Sequence, residues 1–148
     1  MSKIFFDANI LLDLLISNRK NHKKALEVLV KVSDTYEILA TSEDIITTIE
    51  YIASKNGIEC MNVWEFFKTL QVHFEILNFS TILDGALERY KEQCEAKIKL
   101  DFEDLLQLEC AMASNCDVFL TEDKGIHKLN VDIKIMCLDD FLIRVKKN

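Results

Sequence analysis

DFEDLLQLECAMASNCDVFLTED, residues 101–123, reads as one helix followed by one strand. Leu105, Leu108 and Met112, with Leu106, Cys110 and Ala113 alongside, recur at the i, i+3, i+4 and i+7 spacing that places apolar side chains on one helix face. Val118-Phe119-Leu120 is a short apolar burst between polar residues, the pattern of a buried strand. Asp101 and Asp104 open the helix, and Thr121-Glu122-Asp123 closes the strand. Acids therefore stand at a helix N-terminus and at a strand C-terminus. In open α/β sheets, sites form outside the carboxyl ends of the strands. Each acid alone has a plainer reading. Asp101 suits an N-cap, Asp104 a first-turn acid favoured by the helix dipole, and Asp123 a turn.

The same alternation runs outward through the chain. Strands are expected near Lys3–Phe6, Tyr36–Ala40, Phe74–Leu77, Val118–Leu120 and Ile133–Met136. Between them lie helical patterns: one after Asp7, His22 to Val32, Glu43 to Lys55 capped by Thr41-Ser42, Met61 to Leu70, and one opening at Thr81. A last helix is expected over Leu138 to Val145, and Lys124-Gly125 reads as a turn. Alternating strand and helix predicts an α/β fold, a mainly parallel five-stranded sheet covered by helices on both faces. The 148 residues suit a single domain over 1–148, and no linker, repeat or proline divides them.

Composition narrows the chemistry. Three glycines, Gly57, Gly85 and Gly125, cannot write a P-loop or a dinucleotide fingerprint. Three scattered histidines make no HExxH, and five cysteines show no zinc-ligand spacing, so a reducing cytoplasm and mostly buried thiols are expected. No apolar run approaches the ~20 residues of a membrane span. Asp7 and Asp13 interrupt the apolar start, which therefore does not read as a signal peptide. A net charge of −7 excludes a grip on nucleic acid by bulk charge, but not a nuclease whose acids hold metal. Arg19, Lys20, Lys23 and Lys24 make the start of the second helix basic, either a solvated face or a contact for RNA or an acidic partner.

Asp7 ends the first strand as Asp123 ends the fourth, so the two lie side by side if those strands are neighbours. Carboxylates packed together raise one another's pKa, and a divalent cation relieves the repulsion. Oxygen donors without His or Cys suit Mg²⁺ or Mn²⁺ rather than zinc. Phosphodiester hydrolysis is the chemistry such a cluster serves. Asn9 reads either as a cap of the first helix or as a group orienting Asp7.

At this point the sequence resembles the PIN-domain ribonucleases, and among them the VapC-like toxins of bacterial toxin–antitoxin pairs. The resemblance rests on Phe6-Asp7-Ala8-Asn9-Ile10-Leu11-Leu12-Asp13, on Asp101-Phe102-Glu103-Asp104-Leu105-Leu106-Gln107, and on Thr121-Glu122-Asp123-Lys124. It implies a three-layer α/β/α fold and Mg²⁺- or Mn²⁺-dependent cleavage of RNA. It assigns the first, third and fourth family acids to Asp7, Asp104 and Asp123. The second falls on the helix after the second strand, best matched by Glu50, with Glu43 and Asp44 as alternatives. Asp101 is an additional metal ligand on this reading, and Asn9 and Thr121 support the site. The family also implies an antitoxin partner and a homodimer. Two positions depart from its pattern: Glu122 stands where Arg is usual, and Ile126 near where an aromatic is usual.

Two other readings compete. A haloacid-dehalogenase-like phosphatase also places an Asp after its first strand, but it needs a second Asp where this chain has Asn9. A binding or regulatory module with a degenerate acid site is favoured by Glu122.

Overall fold

The structure, a computed structural model, describes residues 2–146. Five strands, β1 (Lys3–Phe6), β2 (Ile38–Ser42), β3 (Phe74–Leu77), β4 (Val118–Leu120) and β5 (Lys134–Met136), form one sheet in the order β3-β2-β1-β4-β5. Every pairing is parallel, with Phe5 opposite both Ala40 and Phe119. The helices are α1 (Ala8–Leu15), α2 (His22–Thr35), α3 (Ile45–Lys55), α4 (Cys60–His73), α5 (Leu83–Glu95), α6 (Phe102–Ala113), α7 (Lys124–His127) and α8 (Leu138–Lys146). They flank the sheet in the α/β/α arrangement that the alternation predicts.

The central strands are apolar because both their faces are covered. Ile4, Phe5 and Phe6 are all fully buried, as are Val118, Phe119 and Leu120. Phe5 stacks on Phe119 with ring centroids 5.1 Å apart, and Phe6 meets Phe74 edge-on at 5.2 Å. Strand order runs outward from β1 in one direction through β2 and β3, then resumes on its other side with β4 and β5. That reversal makes a topological switch point between the carboxyl ends of β1 and β4.

Local details differ from expectation where polar residues are buried. β2 begins and ends two residues later than read, because Thr41 and Ser42 pair with Ile76 and Leu77 of β3. They extend the strand rather than cap α3; the Thr41 hydroxyl donates to the Phe6 carbonyl at 3.0 Å. Lys124-Gly125 is not a simple turn but opens the short helix α7.

Candidate active site

Asp7 follows β1 and is the N-cap of α1. Its Oδ1 accepts from the Ile10 amide at 2.9 Å, so Asp7, not Asn9, caps the helix; Asn9 lies exposed in the first turn. Asp7 Oδ2 accepts from the Thr121 hydroxyl. That hydroxyl also accepts from the Asp123 amide at 3.0 Å, so one threonine ties the ends of β1 and β4 together. The Asp7 amide donates to the Leu120 carbonyl, which carries the β1–β4 pairing up to the site. Asp123 in turn caps α7, with Oδ1 accepting from Gly125 at 2.7 Å and Ile126 at 3.2 Å.

Helix α6 brings the remaining acids. Asp101 is its N-cap and accepts from the Glu103 amide at 2.8 Å, while Glu103 and Asp104 occupy its first turn. Asp104 lies against Asp123, and the two share a hydrogen bond that needs one proton. Burial, that hydrogen bond, and the charges of Asp123, Asp101 and Asp7 push the Asp104 pKa up to about 8. Asp7 is pushed up to about 6, chiefly by burial, with Asp123 and Asp13 adding repulsion; its bonds from Thr121 and Ile10 oppose the rise. The structure thus brings Asp7, Asp104, Asp123 and Asp101 into one electrostatic group, with Thr121 holding two of them. Asp101 and Asp104 also line a cleft with Asn9 and Thr48.

Glu50, the expected second acid, does not face the other acids in this structure. Glu50 is exposed, and its carboxylate accepts from Ser54 one turn along α3 at 2.9 Å. The face of α3 toward the site carries Thr48, whose hydroxyl donates to Glu103 Oε2 at 2.9 Å. Two residues farther along a helix is a turn of roughly 200°, which carries Glu50 away from that face. Glu43 is also directed elsewhere: its Oε1 accepts from the Phe79 amide beyond β3 at 3.3 Å. Asp44 remains. Its Oδ2 accepts from Gln107 Nε2 at 3.4 Å, and burial raises its pKa against the opposing influence of Ser42 and Gln107.

Gln107 and Glu103 are the functional candidates that sequence reading missed. Gln107 is almost fully buried on α6. Its Oε1 accepts from the Ala8 amide at 3.3 Å, and its Nε2 donates to both Asp44 and Glu103, the latter at 3.2 Å. One amide therefore links the residue after Asp7 to two further carboxylates. Burial raises the Glu103 pKa, with the charges of Asp44 and Asp101 adding to the rise and Thr48 and Gln107 opposing it. The signal for Gln107 was its place one helical turn after Glu103, on the same face.

Among the described residues, no three His, Cys, Asp or Glu side chains lie close enough together to share one ion. The expected convergence of Asp7, Asp104, Asp123 and Asp101 on a single cation is met by neighbouring pairs rather than by a closed set. The chemistry of the donors nevertheless fits a hard divalent cation, since all are carboxylate oxygens. Burial, and after it the neighbouring carboxylates, favours the protonated form of Asp104, and a positive charge at the same place would relieve the repulsion among them.

The departures from the family pattern also find physical roles. Glu122 Oε1 accepts from the Leu138 amide at 2.7 Å, so this carboxylate serves the start of α8. Ile126 is fully buried in the core. The basic run is partly committed: Arg19 pairs with the buried Asp13 at 2.7 Å and Lys24 with Asp139 at 2.8 Å, while Lys20 and Lys23 are exposed.

An open parallel sheet with carboxylates at its switch point defines a class, the α/β/α domains with an acidic strand-end site. The sequence model of the PIN domain matches residues 4–131, and the chain belongs to that family. It is 28% identical over 144 residues to Ribonuclease VapC1 of Aquifex aeolicus (strain VF5), covering 96% of this chain and 94% of that protein. Mycobacterium tuberculosis VapC20, described as a sarcin–ricin-loop-cleaving toxin, has a similar fold, with a TM-score of 0.72 at 11% identity over 88% of this chain and 98% of that one. A toxin–antitoxin complex from Klebsiella pneumoniae gives a TM-score of 0.65 at 21% identity, over 91% and 97% of the two chains. VapBC2 of Rickettsia felis, bound to a DNA fragment from its promoter, gives 0.69 at 18%, over 91% and 98%.

Proposed function

We propose that this chain is a Mg²⁺- or Mn²⁺-dependent endoribonuclease, the toxin of a toxin–antitoxin pair. The observation that carries the reading is the placement of Asp7 and Asp104 beside Asp123 at the switch point, where burial first, and repulsion among them second, raises two of their pKa values. Its likeness to a named VapC ribonuclease along nearly its whole length supports it.

Asp7, Asp104 and Asp123, neighbours in pairs rather than a closed set, would have to draw together to hold the metal, with Asp101 beside them. Asp44, held by Gln107, takes the place of the second acid in this reading, and Glu103 stands next to it. The chemistry supplied by the bound ion is activation of water and stabilisation of the leaving oxygen. The chain's own part is positioning. Thr121 fixes Asp7 relative to Asp123, and the α7 amides fix the Asp123 carboxylate. Asp104 keeps its proton until a cation replaces it. The module reading loses its support, because Glu122 is turned to α8.

The partners proposed are an RNA substrate, an antitoxin protein and a second copy of the chain. Light scattering that found only monomer at high concentration would remove the dimer. A cytoplasmic location is part of the same reading. All five cysteines are free, and no helix among the described residues is long and apolar enough to cross a membrane.

The decisive test is cleavage of mixed-sequence single-stranded RNA with Mn²⁺ and with chelator, by wild type, Asp7→Asn and Asp104→Asn. Metal-dependent cutting by wild type should fall by at least ~10²-fold in both variants, as loss of a group that stabilises the transition state does. RNA left intact by wild type, or cut equally by the variants, would sink the assignment.

A further inference from the structure

A groove of about 600 Å³ opens beside the acid cluster, between the end of α5 and the loop that enters α6. Its floor is apolar, made by Tyr90, Cys94, Ile98 and Leu100, and Lys97 and Lys99 stand on it. Asp101 lines both this groove and the cleft that holds Asp104, so the two are neighbours across that residue. The loop is built rather than slack. Lys97 adopts the left-handed conformation at φ 58°, and the amides of Lys97 and Ile98 donate back to the carbonyls of Cys94 and Gln93. Phe102 braces the Tyr90 ring in a T-shaped contact at 5.3 Å. Tyr90 and Ile98 remain 38% and 50% exposed, a large apolar surface left to water next to the site.

This composition answers a problem that the acid cluster creates. A phosphodiester approaching Asp7, Asp104 and Asp123 is repelled, and the chain as a whole carries −7. Some cation must hold the polyanion close. Single-stranded nucleic acid is held elsewhere by lysines that track the backbone and by aromatic rings on which bases stack. The groove combines the two, and its volume lies within the range of small-ligand sites.

We propose that this groove is a subsite for one unpaired nucleotide of the RNA, adjacent to the scissile phosphate. Its base packs on Tyr90 with Ile98 and Leu100, and its phosphates meet Lys97 and Lys99. The inference rests on the ribonuclease reading, and the experiment separates the two.

The probe is a fluorescent twelve-residue oligouridylate, its binding followed by anisotropy in chelator over a salt series. Against wild type stand K97A/K99A, Tyr90→Ala, Tyr90→Phe, and a charge-matched control on other helices, K55A/K68A. K97A/K99A should lower the slope of log affinity against log salt by about 1.4, at ~0.7 per phosphate contact on a single strand. Tyr90→Ala should weaken binding by roughly 5- to 100-fold, the worth of one stacked base, while Tyr90→Phe retains binding. The lysines are exposed and their variants will fold, so the salt slope decides even if Tyr90→Ala does not. Absence of binding by wild type, or a slope for K97A/K99A equal to that of the control, would overturn the subsite. The latter result would leave the groove to an apolar segment of a protein partner. Wild-type cleavage with Mn²⁺ is measured in parallel. Binding without cleavage would remove the ribonuclease reading alone; cleavage with unchanged groove variants would remove the subsite alone.

Discussion

Thr121 concentrates much of the site's geometry in one hydroxyl, which donates to Asp7 while accepting from the Asp123 amide. Thr121→Val preserves shape and removes both bonds. A buried carboxylate and a part-buried amide are then left short of a partner, at about 1–3 kcal/mol for the first and less for the second. We expect a lower melting temperature and loss of RNA cleavage, with Thr121→Ser retaining both; a fully active valine variant would show that the hydroxyl is dispensable. The second acid gives an equally direct comparison. Asp44→Asn should reduce cleavage by at least ~10-fold, whereas Glu50→Gln, altering an exposed carboxylate bonded within its own helix, should change it by less than twofold. The reverse pattern would restore Glu50 to the site. That Asp7 and Asp123 end strands and Asp104 opens a helix was legible, because these are positions along the chain itself. Which of Glu43, Asp44 and Glu50 meets α6 was not, since that depends on how α3 is rotated against α6. Gln107 looked like core because it is core. Only the structure shows its amide reaching two carboxylates and a backbone N–H.

At the scale of elements, α7 and the loop before α6 are pressed together at Gly125. A Cβ added there would stand 2.6 Å from Leu100 Cδ2 and 3.1 Å from Asp123 Oδ1. The leucine end can swing aside, but the carboxylate is pinned by the Gly125 and Ile126 amides. Gly125→Ala should therefore melt only a few degrees lower, by ~1–2 kcal/mol of overpacking, while losing a larger share of activity as Asp123 shifts. Steady-state cleavage beside thermal melts checks this, and a variant that loses stability without activity would show that Asp123 tolerates the push. The elements themselves were largely readable. β1, β3 and β4 fall on the expected residues because apolar runs between polar breaks have no other way to be satisfied. β2 was misplaced because Thr41 and Ser42 look like loop residues. Their neighbours in the sheet bury them, and no local pattern carries that information. α7 was read as a turn for a related reason. Four residues hold no helical period, and the helix exists because Asp123 caps it.

Across the whole molecule, the acid cluster sets the native state against itself as pH rises. Asp7 and Asp104 have folded pKa values of about 6 and about 8, both above the ordinary 3.8 of an unfolded Asp. The native state therefore binds more protons than the unfolded state between about pH 4 and pH 8, and stability must fall with rising pH through that window. Below pH 4 both carboxyls are protonated in either state, and this contribution is fully present. Above pH 8 it is lost. On the proposed reading a divalent cation would reverse the sign of the effect, because it would bind the deprotonated cluster and stabilise the native state by mass action. The expected result is a metal-free melting temperature that declines from pH 5 to pH 8, and a Mn²⁺-induced rise that grows over the same range. Asp104→Asn removes the more strongly shifted of the two. It should flatten the metal-free decline, raise the melting temperature at pH 8 by roughly 2–4 °C, the shift that ~1 kcal/mol produces in a domain of this size, and shrink the Mn²⁺ response. If Asp104 were only a first-turn acid favoured by the α6 dipole, the same variant would melt lower at pH 8 and keep the full response to Mn²⁺. Melts of the two proteins at pH 5 and pH 8, with and without Mn²⁺, decide between a carboxylate held for a cation and one held for a helix.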